Sequence, residues 1–252
     1  MGEALSPGMV WTFGLVLSRV GALVATCPPF CPEPLKSTFR AGLVFWLAVA
    51  LAAGLDQSAA PASWRGQAVV LELTVGAGMG LVVRLGAAAL SLVGDLVEMV
   101  VGFGFSQIVD PMTQEQGGPL RLLAQTMGAM VFFVCGGQAQ VIEALAQSFR
   151  VMPPGKALWH PSAGLALVAQ AGEMLALALR MAAPMLAAAG ATLLSLAFLT
   201  KVAPQLNIWS IGFLVTTTVS LAGLMMYLPS WMAETAMLWQ ARIQAMLPTL
   251  MG

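Results

Sequence analysis

Long apolar segments that enclose charged residues dominate this chain and constrain its fold. The segments cover residues 10–26, 40–55, 66–83, 85–109, 120–149, 162–199 and 208–228. An α-helix needs roughly 20 apolar residues to cross the hydrocarbon layer of a bilayer. Segment 208–228 has this length and carries no charge, whereas segment 40–55 is short and segment 162–199 is too long for one crossing. The pattern predicts an all-α, membrane-associated protein.

Composition supports a membrane protein, because only 9% of the residues are charged, against about 25% in soluble domains. The formal net charge is zero, so the chain offers no basic surface for nucleic acid. Pro184 lies inside segment 162–199 and predicts a bent helix or two consecutive helices there. We expect one helical domain over residues 1–228, followed by an amphipathic tail over 229–252 that is suited to an interface.

Charged residues interrupt the apolar segments or lie at their edges, among them Arg19, Glu72, Arg84, Asp95, Glu98, Glu143, Glu173 and Arg180. Each would cost about 2.5–3.5 kcal/mol if it faced lipid, by insertion scales. The residues of the pair Glu173 and Arg180 are seven positions apart, and those of the pair Asp95 and Glu98 are three apart, so each pair shares a helix face. Two adjacent carboxylates repel each other unless a cation or an arginine lies nearby.

These charges have two interpretations. One is a proton relay or cation path, and the other is ion pairing between helices that fixes an assembly. Ion pairing is favoured, because no third titratable group is arranged beside either pair. We therefore predict inter-helix pairing for five residues. For Arg84 we also predict no role beyond pairing. The five are Glu72, Asp95, Glu98, Glu173 and Arg180.

The sequence predicts no enzyme, no metal site and no cofactor site. His160 is the single histidine, and the three cysteines are too few and too scattered for a metal centre. The run of alternate glycines from Gly76 to Gly80 lacks the Lys-Ser/Thr ending of a nucleotide loop. Gly76 and Gly80 instead have the spacing that lets two helices approach closely.

Residues 110–118 form a polar stretch between two long apolar segments. Non-helical backbone at membrane depth is tolerated only inside protein or against a water-filled cavity. From the residues alone, this stretch is either a channel-lining element or a plain loop outside the membrane.

Four motifs occur in an order and spacing that resemble the FliR family of flagellar export proteins and its virulence-system homologues, SctT. The resemblance runs from about residue 19 to residue 228, and its signature near the last apolar segment includes Pro204, Gln205, Asn207 and Gly212. The motifs are Pro28-Pro29-Phe30 with Pro34 and Lys36; Gly102-Phe103-Gly104 with Val109-Asp110-Pro111 and Gln114; the turn from Ser148-Phe149 to Pro153-Pro154-Gly155; and Ala203-Pro204-Gln205 with Asn207 and Gly212-Phe213.

The resemblance implies a subunit of a type III secretion export gate in the bacterial inner membrane, within a flagellar basal body or an injectisome. Overall similarity favours the flagellar branch. Members of the family assemble with FliP and FliQ and are contacted by FlhB, and their helical hairpins wind around a channel for unfolded substrates. The family's Asp-Pro loop plugs this channel. The corresponding plug residues here are Asp110, Pro111, Met112, Thr113, Gln114, Glu115, Gln116, Gly117 and Gly118.

The chain departs from the family pattern at two places. Gly136-Gly137-Gln138 stands where relatives commonly have Asn-Gly-His, and Leu214 and Thr216 replace the usual Pro and Lys. A second hypothesis is a stand-alone transporter that couples ions through Asp95, Glu98, Glu173 and Arg180. Such transporters often contain internal repeats, and no repeat is visible.

Overall fold

The computed structural model describes residues 7–30, 36–54, 65–101, 118–159, 161–202 and 208–251. Over these ranges the chain is helical and contains no β-strand, as the predicted all-α class requires. The helices are α1 (Pro7–Thr26), a short 3-10 turn (Pro28–Phe30), α2 (Ser37–Ala52), α3 (Arg65–Val101), α4 (Pro119–Val134), α5 (Gly137–Val151), α6 (Pro161–Val202) and α7 (Ile208–Met251).

Four of the described helices are long and apolar enough to cross a membrane: α1, α3, α6 and α7. The helices α4 and α5 count as a fifth span if they are taken together, although they meet at an angle of 65°. The bend falls at Gly136, whose φ of +70° lies in the left-handed region that glycine adopts without steric cost. Helix α2 has 16 residues and is shorter than a span.

The helix boundaries differ from the apolar segments in four places. Segment 66–83 and residues 85–101 of the next segment form one helix, α3, because the exposed Arg84 is a good helix former and does not end it. Residues 102–109 lie outside the described part of the chain. Segment 120–149 is divided at Gly136. Segment 162–199 lies in a single helix despite Pro184, so the predicted alternative of two consecutive helices is wrong. Helix α7 continues through Pro229 to Met251, and the predicted tail is its second half.

The chain divides into two compact units. The first comprises the described parts of residues 1–86, 132–171 and 239–252. Its core includes an aromatic cluster in which the Phe132 ring contacts Trp239 edge-to-face at a centroid distance of 5.1 Å and Phe30 at 6.5 Å. The second unit comprises the described parts of residues 87–131 and 172–238. There the indole N–H of Trp231 donates a hydrogen bond to the Met181 carbonyl at 3.0 Å.

Helices α1 and α3 pack closely at two glycines of the first unit. A Cβ atom on Gly80 would lie 2.7 Å from the carbonyl oxygen of Leu23, and one on Gly76 would lie 3.1 Å from the Cβ of Ala22. Thr26 also donates from its hydroxyl to the carbonyl of Ala77 at 3.4 Å. The predicted use of this glycine pair for close helix packing is confirmed.

Candidate functional site

Of the predicted plug, the structure describes only the last residue and the helices on either side. Residues 110–117 lie outside the described part of the chain, and so do Pro204, Gln205 and Asn207 of the family signature. Gly118, the last plug residue, is described and buried, and Gly212 is buried near the start of α7. The geometry of the site therefore comes from the end of α3, before residue 102, and the start of α4, after residue 117.

Glu98 lies at the point where α3 and α4 meet. Its side chain is buried, with 3% of the residue exposed, and Oε2 accepts a hydrogen bond from the backbone N–H of Arg121 at 3.4 Å. The N–H groups of the first helical turn have no partner within the helix, and the helix dipole adds positive potential there. The Glu98 carboxylate therefore caps the start of α4. A Cβ atom on Gly118 would collide with this carboxylate, so a larger residue there would require the Glu98 carboxylate to move.

Asp95 lies one turn before Glu98 and pairs with the side chain of Arg121. The distance from Nη1 to Oδ2 is 3.2 Å, and the two side chains are 34% and 40% exposed for arginine and aspartate respectively. Arg121 thus contacts Asp95 with its guanidinium and Oε2 of Glu98 with its backbone N–H, and its positive charge reduces the repulsion between the two carboxylates. We call Asp95, Glu98, Gly118 and Arg121 the neck.

Close packing below the neck extends the contact between α3 and α4. Gln125 donates from its side-chain amide to the hydroxyl of Ser91 at 2.8 Å. A Cβ atom on Gly94 would lie 2.9 Å from the carbonyl oxygen of Leu120. At the end of α3, the Val101 carbonyl accepts a hydrogen bond from the Thr217 hydroxyl at 3.2 Å. Residues 102–117 are therefore connected at both ends to helix positions held by polar contacts.

A second polar cluster lies in the first unit and is fully buried. Arg19 of α1 and Glu72 of α3 form an ion pair with an Nε to Oε2 distance of 2.5 Å, and neither side chain is exposed. Burying two charges costs several kcal/mol per ion unless further hydrogen bonds satisfy them. The end of α5 and the turn after it supply those bonds.

The residues from Ser148 to Gly155 surround this ion pair. Arg19 donates to the Ser148 hydroxyl at 3.1 Å and to the Met152 carbonyl at 3.0 Å, and its guanidinium carbon lies 4.3 Å from the centre of the Phe149 ring. The N–H of Gly155 donates to Oε1 of Glu72 at 2.9 Å, and Gly155 has a φ of +82°. The third motif of the family resemblance, from Ser148 to Gly155, thus supplies the hydrogen bonds and the ring contact that surround the buried pair.

The structure gives partners that the sequence analysis did not name. Glu72 pairs with Arg19, whereas Arg84 is exposed. The sequence analysis recorded Arg19 as an embedded charge without a role, and it assigned no role to Arg121. Glu173 and Arg180 are both exposed on α6.

The described residues contain no group of three or more His, Cys, Asp and Glu side chains that could hold a metal ion. An open groove of about 370 Å³ lies in the first unit between α5 and the end of α7. It is lined mainly by polar side chains, namely Gln140, Glu143, Gln147 and Gln244, together with Ala144, Ile243 and Leu247. The neck and the buried ion pair are arranged for electrostatic and packing contacts between helices.

Comparison with known proteins identifies the family of this chain. Residues 10–241 match the family model described as bacterial export proteins, family 1. The chain belongs to this family. Flagellar biosynthetic protein FliR of Escherichia coli K12 is 27% identical over 212 residues, covering 82% of this chain and 80% of the relative. FliR of Pectobacterium carotovorum is 29% identical over 220 residues, with coverage of 84% and 82%. FliR of Bacillus subtilis is 24% identical over 217 residues, with coverage of 82% of both chains.

The predicted membership of the FliR family is confirmed by these matches. This FliR-family chain is an export protein with several helices that are long and apolar enough to cross a membrane. The family match encloses all four motifs and ends before the last ten residues of α7.

Proposed function

We propose that this chain is a core subunit of a type III secretion export gate of the flagellar kind, located in the bacterial inner membrane. It assembles with FliP-like and FliQ-like subunits, is contacted by an FlhB-like subunit, and forms part of the channel through which unfolded substrates cross. It carries out no chemistry of its own. Family membership and the relatives named flagellar biosynthetic protein FliR support this proposal.

The proposed assembly with other subunits rests mainly on the length of the exposed apolar helices. Helices α6 and α7 have 42 and 44 residues, which corresponds to about 63 and 66 Å at 1.5 Å per residue. The hydrocarbon layer is only about 30 Å thick. The chain itself buries 17% of the apolar stretch in α6 and 22% of that in α7. Because lipid covers at most about half of each helix, we infer that other subunits cover the apolar surface that the chain itself leaves exposed.

The stand-alone transporter is less well supported. Its four proposed coupling residues do not form one ion site among the described contacts. Asp95 is engaged by the Arg121 guanidinium, and Glu98 caps α4. Glu173 and Arg180 lie on the exposed surface of α6, where coupling groups would meet other molecules and not an internal pathway.

The neck supports the plug role of residues 110–118. A plug must move without disturbing the channel wall, and a segment that buries little apolar surface can do so at low cost. Residues 113–116 are Thr, Gln, Glu and Gln, followed by two glycines. The helices on both sides are held together by Asp95, Glu98 and Arg121, which would give a movable plug a fixed base.

Deletion of residues 113–117 tests the plug. Gly118 is retained, because it contacts Glu98. The complete gate, co-expressed with its sister subunits, is reconstituted in a planar bilayer, and its conductance for small ions is measured. We expect an intact complex whose resting conductance is clearly higher than that of the wild type. Deletion of five residues from the polar stretch 56–65 is the control and should leave conductance low. Equal conductance in the two deletions would remove the plug from the proposal.

A further inference from the structure

The exposed face of α3 changes from apolar to charged at Arg84. The large apolar residues that are exposed on this face before that point are Val70, Leu73 and Leu81. Glu72 is the one acidic residue between positions 66 and 84, and it is fully buried in its pair with Arg19. The exposed face over residues 66–83 therefore carries no charge. Arg84 follows on the same face, three positions after Leu81.

The uncharged part of this face has the length of a bilayer crossing. From residue 66 to residue 83, α3 rises about 27 Å at 1.5 Å per residue, and the hydrocarbon layer is about 30 Å thick. The second half of α3 suits lipid less well, because the side chain of Asp95 is 40% exposed there. Lipid packed against residues 66–83 places Arg84 at the level of the lipid headgroups.

Helix α1 ends close to the level of Arg84. Arg19 of α1 pairs with Glu72 of α3. Thr26 lies seven residues after Arg19, and a Cβ atom on Gly80 would contact its side chain. The two helices therefore run in the same direction. Arg84 lies four residues after Gly80, which is about 6 Å along the axis of α3.

Helix α2 brings a second cation, Lys36, to this level. Only residues 31–36 separate α2 from the 3-10 turn at the end of α1. The rings of Phe13 and Phe45 meet at a centroid distance of 5.9 Å, and a Cβ atom on Gly21 would lie 3.7 Å from Val44. The later position of α1 thus meets the earlier position of α2, so α2 runs back along α1. Lys36 precedes the first turn of α2 and lies near the end of α1.

Both cations are available to a ligand. Among the described residues, neither Lys36 nor Arg84 has a side-chain ion pair or hydrogen bond, and both are exposed. Arg40, one turn further along α2, is half-buried and has a contact within the chain. Phe39 and Trp46 are 62% and 70% exposed and lie seven residues apart on one face of α2. Exposed apolar surface therefore adjoins each of the two free cations.

The position of these charges indicates that the ligand is a lipid. A phospholipid carries its charge only at the surface of the hydrocarbon layer, and Arg84 lies at the end of an uncharged face of matching length. A protein partner can place carboxylates at any height along a helix, so it does not account for this position. Phosphate suits both side chains, because a guanidinium binds it through a fork of N–H donors and an ammonium binds it as a point charge.

We propose that Lys36 and Arg84 bind phosphate groups of anionic phospholipids at one surface of the membrane, and that these contacts fix the depth of the first unit in the bilayer. The lipid acyl chains lie against the exposed apolar faces of α2 and α3. Basic residues next to a membrane segment attract anionic lipids in this way. The inference goes beyond the proposed function and does not depend on it.

Photo-cross-linking with two matched lipids tests this site. The gate is co-expressed with its sister subunits and reconstituted in nanodiscs that contain either phosphatidylglycerol or phosphatidylcholine, each with the same photoreactive group next to the glycerol. Cross-linked peptides are identified by mass. We expect phosphatidylglycerol to label the peptides around residues 36 and 84 about fivefold more than phosphatidylcholine, since one basic residue near an anionic surface contributes about that factor.

Two outcomes would overturn the inference. Equal labelling by the two lipids would mean that the site does not select an anionic headgroup. Labelling by neither lipid would mean that protein covers this face. If the sister subunits do not co-purify with the chain, the proposed function fails, and the same labelling is then measured on the full chain alone in nanodiscs.

Charge-removing variants show whether the two cations cause the preference. Lys36→Gln and Arg84→Gln should each reduce the preference for phosphatidylglycerol at their own peptide by about fivefold, whereas Arg84→Lys should retain most of it. Arg150→Gln removes an exposed cation from α5 and is the control that should leave both peptides unchanged. Recovery of each variant in the complex shows that it folds. Wild-type labelling in Arg84→Gln and Lys36→Gln would show that the inference is wrong.

Inorganic phosphate distinguishes a lipid headgroup from free phosphate as the ligand. Phosphate and sodium chloride are added at the same ionic strength, so that both screen charge equally. We expect the same labelling in the two salts. Selective loss of labelling in phosphate would mean that the site takes the free anion, and the lipid would be excluded. In detergent without phosphatidylglycerol the contact is absent, so loss of Arg84 should not lower stability there.

Discussion

Arg19 and Glu72 show how much a single buried residue contributes in this chain. Their ion pair is fully buried, and four residues from the end of α5 and the turn after it contact the pair. Removing one member leaves an uncompensated charge, so we expect Glu72→Leu to lower the free energy of unfolding by about 3–5 kcal/mol. Thermal or denaturant unfolding of the purified protein in detergent measures this loss.

Arg84→Leu is the matched control for this residue-scale prediction. Arg84 lies on α3 like Glu72, but its side chain is exposed, so its loss should leave the unfolding midpoint nearly unchanged. A Glu72→Leu variant that unfolds with the same midpoint as Arg84→Leu would show that the buried pair does not stabilise the fold.

At the residue scale, the sequence revealed that the embedded charges needed partners but not which partners. Spacing along one helix identifies neighbours three, four or seven positions apart. Arg19 is 53 residues away from Glu72, and Gly155 is 83 residues away from it. Such pairs are set by how the helices pack, and no local pattern contains that information.

At the scale of elements, the close contact between α1 and α3 depends on Gly80. A Cβ atom there meets the Leu23 carbonyl and the Thr26 side chain, and backbone cannot move aside cheaply. We expect Gly80→Ala to reduce the free energy of unfolding by about 1–3 kcal/mol through overpacking. Gly172→Ala on α6 is the control, since a Cβ atom there meets nothing within 4 Å. It should be neutral or stabilise by about 0.5–1 kcal/mol, because alanine favours a helix over glycine. The unfolding midpoints of the two variants, measured side by side, decide the matter.

The start of α4 gives a second prediction for an element. Glu98 caps this helix through the Arg121 N–H, and loss of a cap costs about 0.5–2 kcal/mol. Glu98→Ala should therefore increase hydrogen exchange in the first two turns of α4 by about tenfold, while the last turns exchange at the wild-type rate. Glu143→Ala changes an exposed carboxylate on α5 and serves as the control. Unchanged exchange at residues 121–125 in Glu98→Ala would show that the carboxylate does not hold the neck.

Most helices were visible in the sequence, because apolar runs of sufficient length form helices in a membrane protein. Their boundaries were harder to predict. A charge such as Arg84 limits a lipid-facing span but does not end a helix, so two predicted segments are one helix. At Gly136 the apolar pattern continues while the backbone turns, since a positive φ leaves no trace in hydrophobicity. The predicted plug had compositional signals, but the neck that holds its base depends on contacts between two helices.

At the scale of the whole molecule, exposed apolar surface makes the chain dependent on other subunits. Large apolar side chains are exposed along α6 and α7, including Phe198 at 68%, Leu214 at 66% and Met226 at 79%. Such surface promotes aggregation or proteolysis unless lipid or protein covers it, and these helices are about twice as long as the hydrocarbon layer is thick. We therefore expect the chain to be degraded several-fold faster when it is expressed alone than with its sister subunits, since a partner that binds only the folded chain shifts the equilibrium towards it.

Pulse-chase labelling measures the two half-lives, and size-exclusion chromatography in detergent shows whether the chain alone is monodisperse. Co-expression with an unrelated membrane protein at the same level controls for a general effect on degradation. A lone chain that is long-lived and monomeric would mean that lipid or detergent covers α6 and α7 fully. In that case the length of these two helices would no longer indicate partner subunits, and the proposed export-gate assembly would lose its main support.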